Sequence, residues 1–96
     1  MLKKAMIYWF PEEESGKKEL PPEGEYYYPI IILEDGSSWS FIIRLLDRVD
    51  TAPNERISNC EVCFMFEQAP QHLLRNSAEF ILYEGPYKVA AMVIRE

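Results

Sequence analysis

Apolar residues in this chain fall into short strand-length runs separated by turn residues. The first run is Ala5 to Phe10, rich in aromatic and β-branched residues. Ala5, Ile7 and Trp9 share one face of such a strand, and Met6, Tyr8 and Phe10 share the other. Both faces are apolar, which predicts burial on both sides or packing against a second sheet. Pro11 ends the run, and a polar loop is expected over 12–25, because it has no periodicity and Pro21-Pro22 forbids a helix through its middle. A loop of that length in a small domain is usually functional or partly disordered. Tyr26 to Leu33 is the second strand, with Pro29 implying an edge position or a bulge.

Glu34-Asp35-Gly36-Ser37-Ser38 is turn chemistry. Trp39 to Val49 is ambiguous. Trp39, Phe41, Ile43 and Leu45 alternate as in a strand, whereas Phe41, Ile42, Leu45, Leu46 and Val49 also fit one helical face. Asp50 to Asn54 reads as a loop, and Ile57 to Phe66 as a strand. On that strand Cys60, Val62, Phe64 and Phe66 share one face, and Glu61, Cys63, Met65 and Glu67 the other. A connection with room for one helical turn covers 68–76. The chain then reads as a β-hairpin, with Phe80-Ile81-Leu82-Tyr83 and Val89 to Ile94 on either side of a Glu84-Gly85-Pro86 turn. Ala90 and Ala91 put small residues in its second arm, which suits close packing at a seam. Five or six strands with little helix indicate an all-β fold, a small antiparallel barrel or sandwich.

Ninety-six residues make one domain, 1–96, and 48% hydrophobic content supplies its core. The net charge of −6 argues against non-specific nucleic-acid binding, which depends on Lys and Arg at phosphates. No apolar run approaches a membrane span. Met1 to Phe10 begins like a signal peptide, with Lys3 and Lys4 before apolar residues, but the apolar part is short and meets Pro11 without a small-residue cleavage site. It is read as a strand, and the protein as cytoplasmic.

Cys60 and Cys63 have Cys-x-x-Cys spacing. A redox site needs a strand-to-helix turn and an activated thiol, and a zinc site needs two further ligands, of which only His72 is in supply. On a strand the two cysteines face opposite ways, so structural free thiols are expected. His72 is read as a surface residue. Glu12-Glu13-Glu14 and Glu34-Asp35 lack calcium-loop spacing and read as solvated. No catalytic residue, metal or cofactor is therefore expected. The strongest candidate surface joins Lys17 and Lys18 to Tyr26, Tyr27 and Tyr28, because tyrosines supply large contact area at low entropy cost. The bland alternative is that one or two of the tyrosines belong to the core and the rest pair across strands.

The order of these features is familiar. Phe80, Glu84, Gly85, Lys88, Val89, Ala90 and Ala91 form a closing hairpin that resembles the end of the third domain of elongation factor Tu. The front is similar too, with a strand at Ala5–Phe10, the acidic Glu12-Glu13-Glu14, then Gly16-Lys17-Lys18, Leu20-Pro21, Gly24 and an aromatic strand containing Pro29. Pro70 matches the proline after the long strand. The resemblance implies a closed six-stranded antiparallel barrel, and so favours strand for Trp39–Leu46. The departures bear on function. There is no Gly-x-x-x-x-Gly-Lys-Ser/Thr loop, so GTPase chemistry is not implied. The family's basic Gly-Tyr-Arg-Pro segment, which helps hold transfer RNA, corresponds to Gly24 to Pro29 without an arginine, and Leu20 stands where the family has Thr.

These readings give a free-standing, non-enzymatic barrel that binds a protein partner through the Lys17–Tyr28 region. One version is an immunity-type inhibitor, an acidic domain neutralising a basic toxin. The alternative is an RNA-binding module of the transfer-RNA type. A small-molecule site inside the barrel ranks last, because a six-stranded barrel is narrow and normally filled by side chains.

Overall fold

Alternation decides the inside and outside of each strand. The computed structural model describes residues 2–16, 24–49 and 57–95. Its strands are β1 (Lys3–Trp9), β2 (Tyr26–Tyr27), β3 (Ile30–Ile32), β4 (Ser38–Val49), β5 (Ile57–Phe64), β6 (Glu79–Glu84) and β7 (Tyr87–Ile94). They form one antiparallel sheet in the order β2-β4-β3-β6-β7-β1-β5, and β5 pairs back onto β4. Six strands thus close a barrel, and β2 is an additional strand beside β4. The fold is all-β, as the strand pattern predicts.

Ala5, Ile7 and Trp9 of β1 are buried, as are Ser58, Cys60, Val62 and Phe64 of β5. Met6, Tyr8 and Phe10 are only half-buried, and the described strands contain no second sheet to cover them. The apolar second face of β1 therefore lies on the outside of a single closed sheet. Phe41 and Ile43 carry β4 inward, and Leu82, Met92 and Ile94 complete the filling from β6 and β7. The two alanines of β7 lie opposite the two largest residues of β1, Trp9 with Ala90 and Tyr8 with Ala91. Small facing large lets the two backbones stay in register while the ring fills the interior.

Two bulges adjust the fit. On β7, Leu82 lies opposite Ala90 but Tyr83 lies opposite Lys88, so Val89 is an extra residue. The insertion lets Val89 and Ala90 both point inward, against strict alternation. On β4, Leu45 lies opposite Cys60 and Asp47 opposite Asn59, leaving Leu46 as the inserted residue. Leu46 is exposed.

Pro29 interrupts the run read as one strand. Tyr27, Pro29 and Ile31 point inward while Tyr26, Tyr28 and Ile32 are exposed, so the alternation runs unbroken through the proline. The Phe41 N–H donates to the Pro29 carbonyl at 3.0 Å, but Pro29 has no N–H to return the bond. The ladder lapses there, and one run becomes β2 and β3. Both halves pair with the same edge of β4.

The stretch 12–25 is not wholly loop. Glu12–Ser15 forms one α-helical turn, α1. The Pro11 carbonyl accepts the N–H groups of Glu14 and Ser15, and Gly16 closes the turn in the left-handed region at φ 71°. Three glutamates at its start suit the positive end of the turn. A second expectation also fails. β5 ends at Phe64, and Phe66 is 52% exposed instead of sharing the inward face. The Ala69 N–H bonds the Phe66 carbonyl, so the chain is already turning there and the period of two no longer applies. A 3₁₀ turn at Gln71–Leu73 supplies the helical element of the 68–76 connection.

Phe41 is the largest fully buried side chain, with ring centroids 4.9 Å from Phe64 and 5.4 Å from Phe80. Phe41→Ala is expected to cost about 3–5 kcal/mol, a large part of the roughly 5–15 kcal/mol that holds such a domain. Urea unfolding followed by tryptophan fluorescence measures this. A loss below about 1 kcal/mol would mean that Phe41 does not fill the barrel.

Candidate interaction surface

Alternation through β2 and the residue after it separates the three consecutive tyrosines. Tyr26 and Tyr28 are 52% and 58% exposed, whereas Tyr27 is 9% exposed and belongs to the core. The Tyr27 ring meets Trp9 edge-on, with centroids 5.5 Å apart and planes at 62°. Its hydroxyl donates to a carboxylate oxygen of Glu84. The Trp9 Nε1–H in turn donates to Ser58 Oγ at 2.9 Å, within the buried interior. Glu84, Tyr27, Trp9 and Ser58 thus link β6, β2, β1 and β5 across one end of the barrel. Tyr27 is therefore a structural residue, and the aromatic surface reduces to Tyr26 and Tyr28. Lys17 and Lys18 lie outside the described residues.

The register places charged groups beside these tyrosines. Tyr26 lies opposite Arg44 on β4, Arg44 opposite Glu61 on β5, and Glu61 opposite Lys4 on β1. The Arg44 guanidinium bonds Glu25 at 2.9 Å and lies 3.7 Å from Glu61. Two carboxylates around one guanidinium leave this row without excess positive charge. Ile42 and Cys63, a neighbouring pair on the same outer face, are half-buried and add apolar area. Arg44, Glu25 and Glu61 were not singled out from sequence. The signal was available, since Arg44 has the outward parity in the run from Trp39 to Leu45.

The other candidates separate. Cys60 is inside the barrel and Cys63 half-buried outside, and both are free thiols. His72 is exposed on the 3₁₀ turn. Among the described residues, no group of three or more His, Cys, Asp and Glu is placed to hold a metal ion. The Asp35 carboxylate accepts from the Ser37 N–H at 2.9 Å and from its hydroxyl at 2.6 Å. Those bonds hold its carboxyl below the ordinary value and fix the turn between β3 and β4. No helix among the described residues is long and apolar enough to cross a membrane.

No protein-family model matches the chain, and no curated protein matches it.

Two buried acids tie stability to alkaline pH. Burial first, and the nearby Glu61 charge second, push the Cys60 thiol from its ordinary value of 9.0 up to about 12. Burial, then the hydrogen bond and charge of Glu84, push the Tyr27 hydroxyl above its ordinary value of 10.0. In each case the fold favours the neutral form. The stabilisation is complete below the unfolded-chain value and is lost as pH rises through the folded one. The urea midpoint should therefore be level up to about pH 8.5 and fall continuously from about pH 9 towards pH 12. Cys60→Ala should lower the midpoint overall but flatten the first part of that fall. An unchanged slope in the variant would show that Cys60 is not the linked group.

Proposed function

We propose that this chain is a non-enzymatic β-barrel interaction module that binds a protein partner through the outer face of β2 and β4. Tyr26 and Tyr28 are its anchors. The observation that carries the reading is their exposure on a backbone fixed from both sides. β2 is paired to β4, and Tyr27 between them is locked into the core. Aromatic side chains on a rigid strand present area with little entropy left to lose, and Tyr and Arg are enriched where interfaces concentrate their energy. Arg44 beside Tyr26 supplies the second residue type.

The likeness to the third domain of elongation factor Tu belongs to this proposal as a statement of kinship between barrels. Transfer-RNA binding is the weaker half of that likeness. The chain carries a net charge of −6, and Arg44 is already engaged by Glu25 and Glu61. Phosphate contacts need cations free to replace counterions. The reading includes a cytoplasmic setting, in keeping with two free cysteines.

The test is a double variant, Tyr26→Ala with Tyr28→Ala, used as bait beside the native chain in affinity purification from the host cell. Partner recovery should fall about tenfold or more, with thermal melting within a few degrees of native. Tyr27→Ala is the contrast and should melt much earlier. Unchanged recovery by the double variant would end the proposal. A gel shift with transfer RNA that weakens steeply with salt would transfer the reading to RNA.

A further inference from the structure

The ring of strands is stitched unevenly. The ladder between β4 and β5 runs from Phe41↔Phe64 to Val49↔Ile57. Between β3 and β6 it is a single bridge, Ile30↔Tyr83. Antiparallel register would next bring Ile32 opposite Ile81, but the ladder stops before that pair. A groove of about 740 Å³ occupies that place, lined by both strands and by the turns that flank them.

The backbone parity of both walls can be worked out. The Pro29 carbonyl accepts from the Phe41 N–H, and the Leu33 N–H donates to the Ser37 carbonyl. Odd-numbered residues of β3 therefore serve the β4 side, and Ile30 and Ile32 turn their backbone groups toward β6. On the other wall, the Ile94 N–H donates to the Ala78 carbonyl. Even-numbered residues of β6 serve β7, leaving Glu79, Ile81 and Tyr83 directed at β3. The bridge at Ile30 and Tyr83 has this parity. One step further along, Ile81 has no ladder partner on that edge. The Ile32 and Ile81 side chains are 51% and 40% exposed beside it. Such an edge is a template for another strand.

We propose that the groove takes an extended segment of a partner protein, added as a strand along the free edge of β6, in which branched apolar residues alternate with Lys or Arg. The apolar half of that pattern fits the half-buried Leu33 and Phe80 in the groove wall. The basic half follows from charge. Glu34, Asp35 and Glu79 line the groove against a single cation, Arg75. Main-chain bonds supply affinity in this mode, and alternate side chains supply selectivity. The groove is separate from the face carrying Tyr26 and Tyr28, so the proposal stands or falls independently of that surface.

The experiment is selection of a phage-displayed library of nine-residue peptides on the full chain, followed by binding measurements on the enriched sequences. Enriched peptides should alternate branched apolar residues with Lys or Arg. They should slow hydrogen exchange at the Ile81 amide. Binding should weaken about tenfold or more in Glu79→Lys and in Ile81→Pro, while Ile81→Val and the double variant Tyr26→Ala with Tyr28→Ala keep it. Ile81→Pro removes an N–H that β7 does not use; should that variant fail to fold, the exchange rate and Glu79→Lys decide. Enrichment of acidic or non-alternating peptides, no enrichment at all, or unchanged exchange at Ile81 would overturn the proposal. So would concentration-dependent dimerisation abolished by Glu79→Lys, which would make a second copy of this chain the occupant.

Discussion

Closure of the ring rests on β4. Its twelve residues are hydrogen-bonded along both edges, to β2 and β3 on one side and to β5 on the other. β3, β6, β7, β1 and β5 form, in that order, a path that begins and ends on it. Without β4, two long edges would open and the interior would face water. A six-stranded ring leaves a narrow interior, so the inward positions of β4 must fill it without overfilling it. Phe41 and Ile43 do this, and the aromatic cluster around Phe41 is built from β5 and β6. The bulge at Leu46 follows from the same constraint, since an inserted residue lets a long strand bend around the barrel.

The seam between β3 and β6 is the other side of this constraint. Strands in a closed ring tilt and stagger, so ladders of equal length all round are not available to short strands. β3 is three residues long because Pro29 withholds its donor from β4. A strand so short meets β6 at one bridge, and the Tyr27 hydroxyl on Glu84 makes a second stitch through side chains. Beyond these two no further bridge joins the walls. The missing N–H thus divides one run into two strands, whereas the β3–β6 ladder stops toward Ile32, at the end of β3 away from the proline.

Much of this was legible in the pattern of residues. β5 follows from alternation, and β1 and the closing hairpin follow from short apolar runs, rich in aromatic and β-branched residues, that turn residues bound. The stretch from Trp39 was not decidable that way. It satisfies both periods, and pairing along two edges, a tertiary fact, selects the strand. The turn at Glu12–Ser15 was missed for a different reason. Its boundary residues, Pro11 and Gly16, and its three glutamates were in plain view, but one turn is too short to show a period. The period of two points Phe66 inward, but it does not hold past the end of β5 at Phe64. At the candidate surface, alternation guarantees that Tyr27 faces away from Tyr26 and Tyr28, but not which parity is inside. That depends on Trp9 and Glu84, which are distant in sequence. The groove was invisible for the same reason, since it arises from a pairing between β3 and β6 that stops early.

The groups with intrinsic reactivity are largely absorbed by the architecture. Cys60 fills the interior, Tyr27 holds Glu84, Ser58 satisfies the Trp9 N–H, and Asp35 shapes a turn. What the described residues present outward is of another kind: aromatic rings on a fixed strand, and a strand edge flanked by isoleucines. As proposed recognition surfaces, these two features would work in different ways. The tyrosine face is already ordered, so a partner there loses freedom mainly in its own side chains. The β6 edge asks its partner to become a strand, at about 1–2 kcal/mol of backbone entropy per residue ordered. Only a run of main-chain hydrogen bonds, joined by alternate side-chain contacts, offsets a cost of that size. On that proposal, a short groove with acidic walls would select for extended, basic segments and against helices, which satisfy their own backbone groups and have nothing to offer an edge.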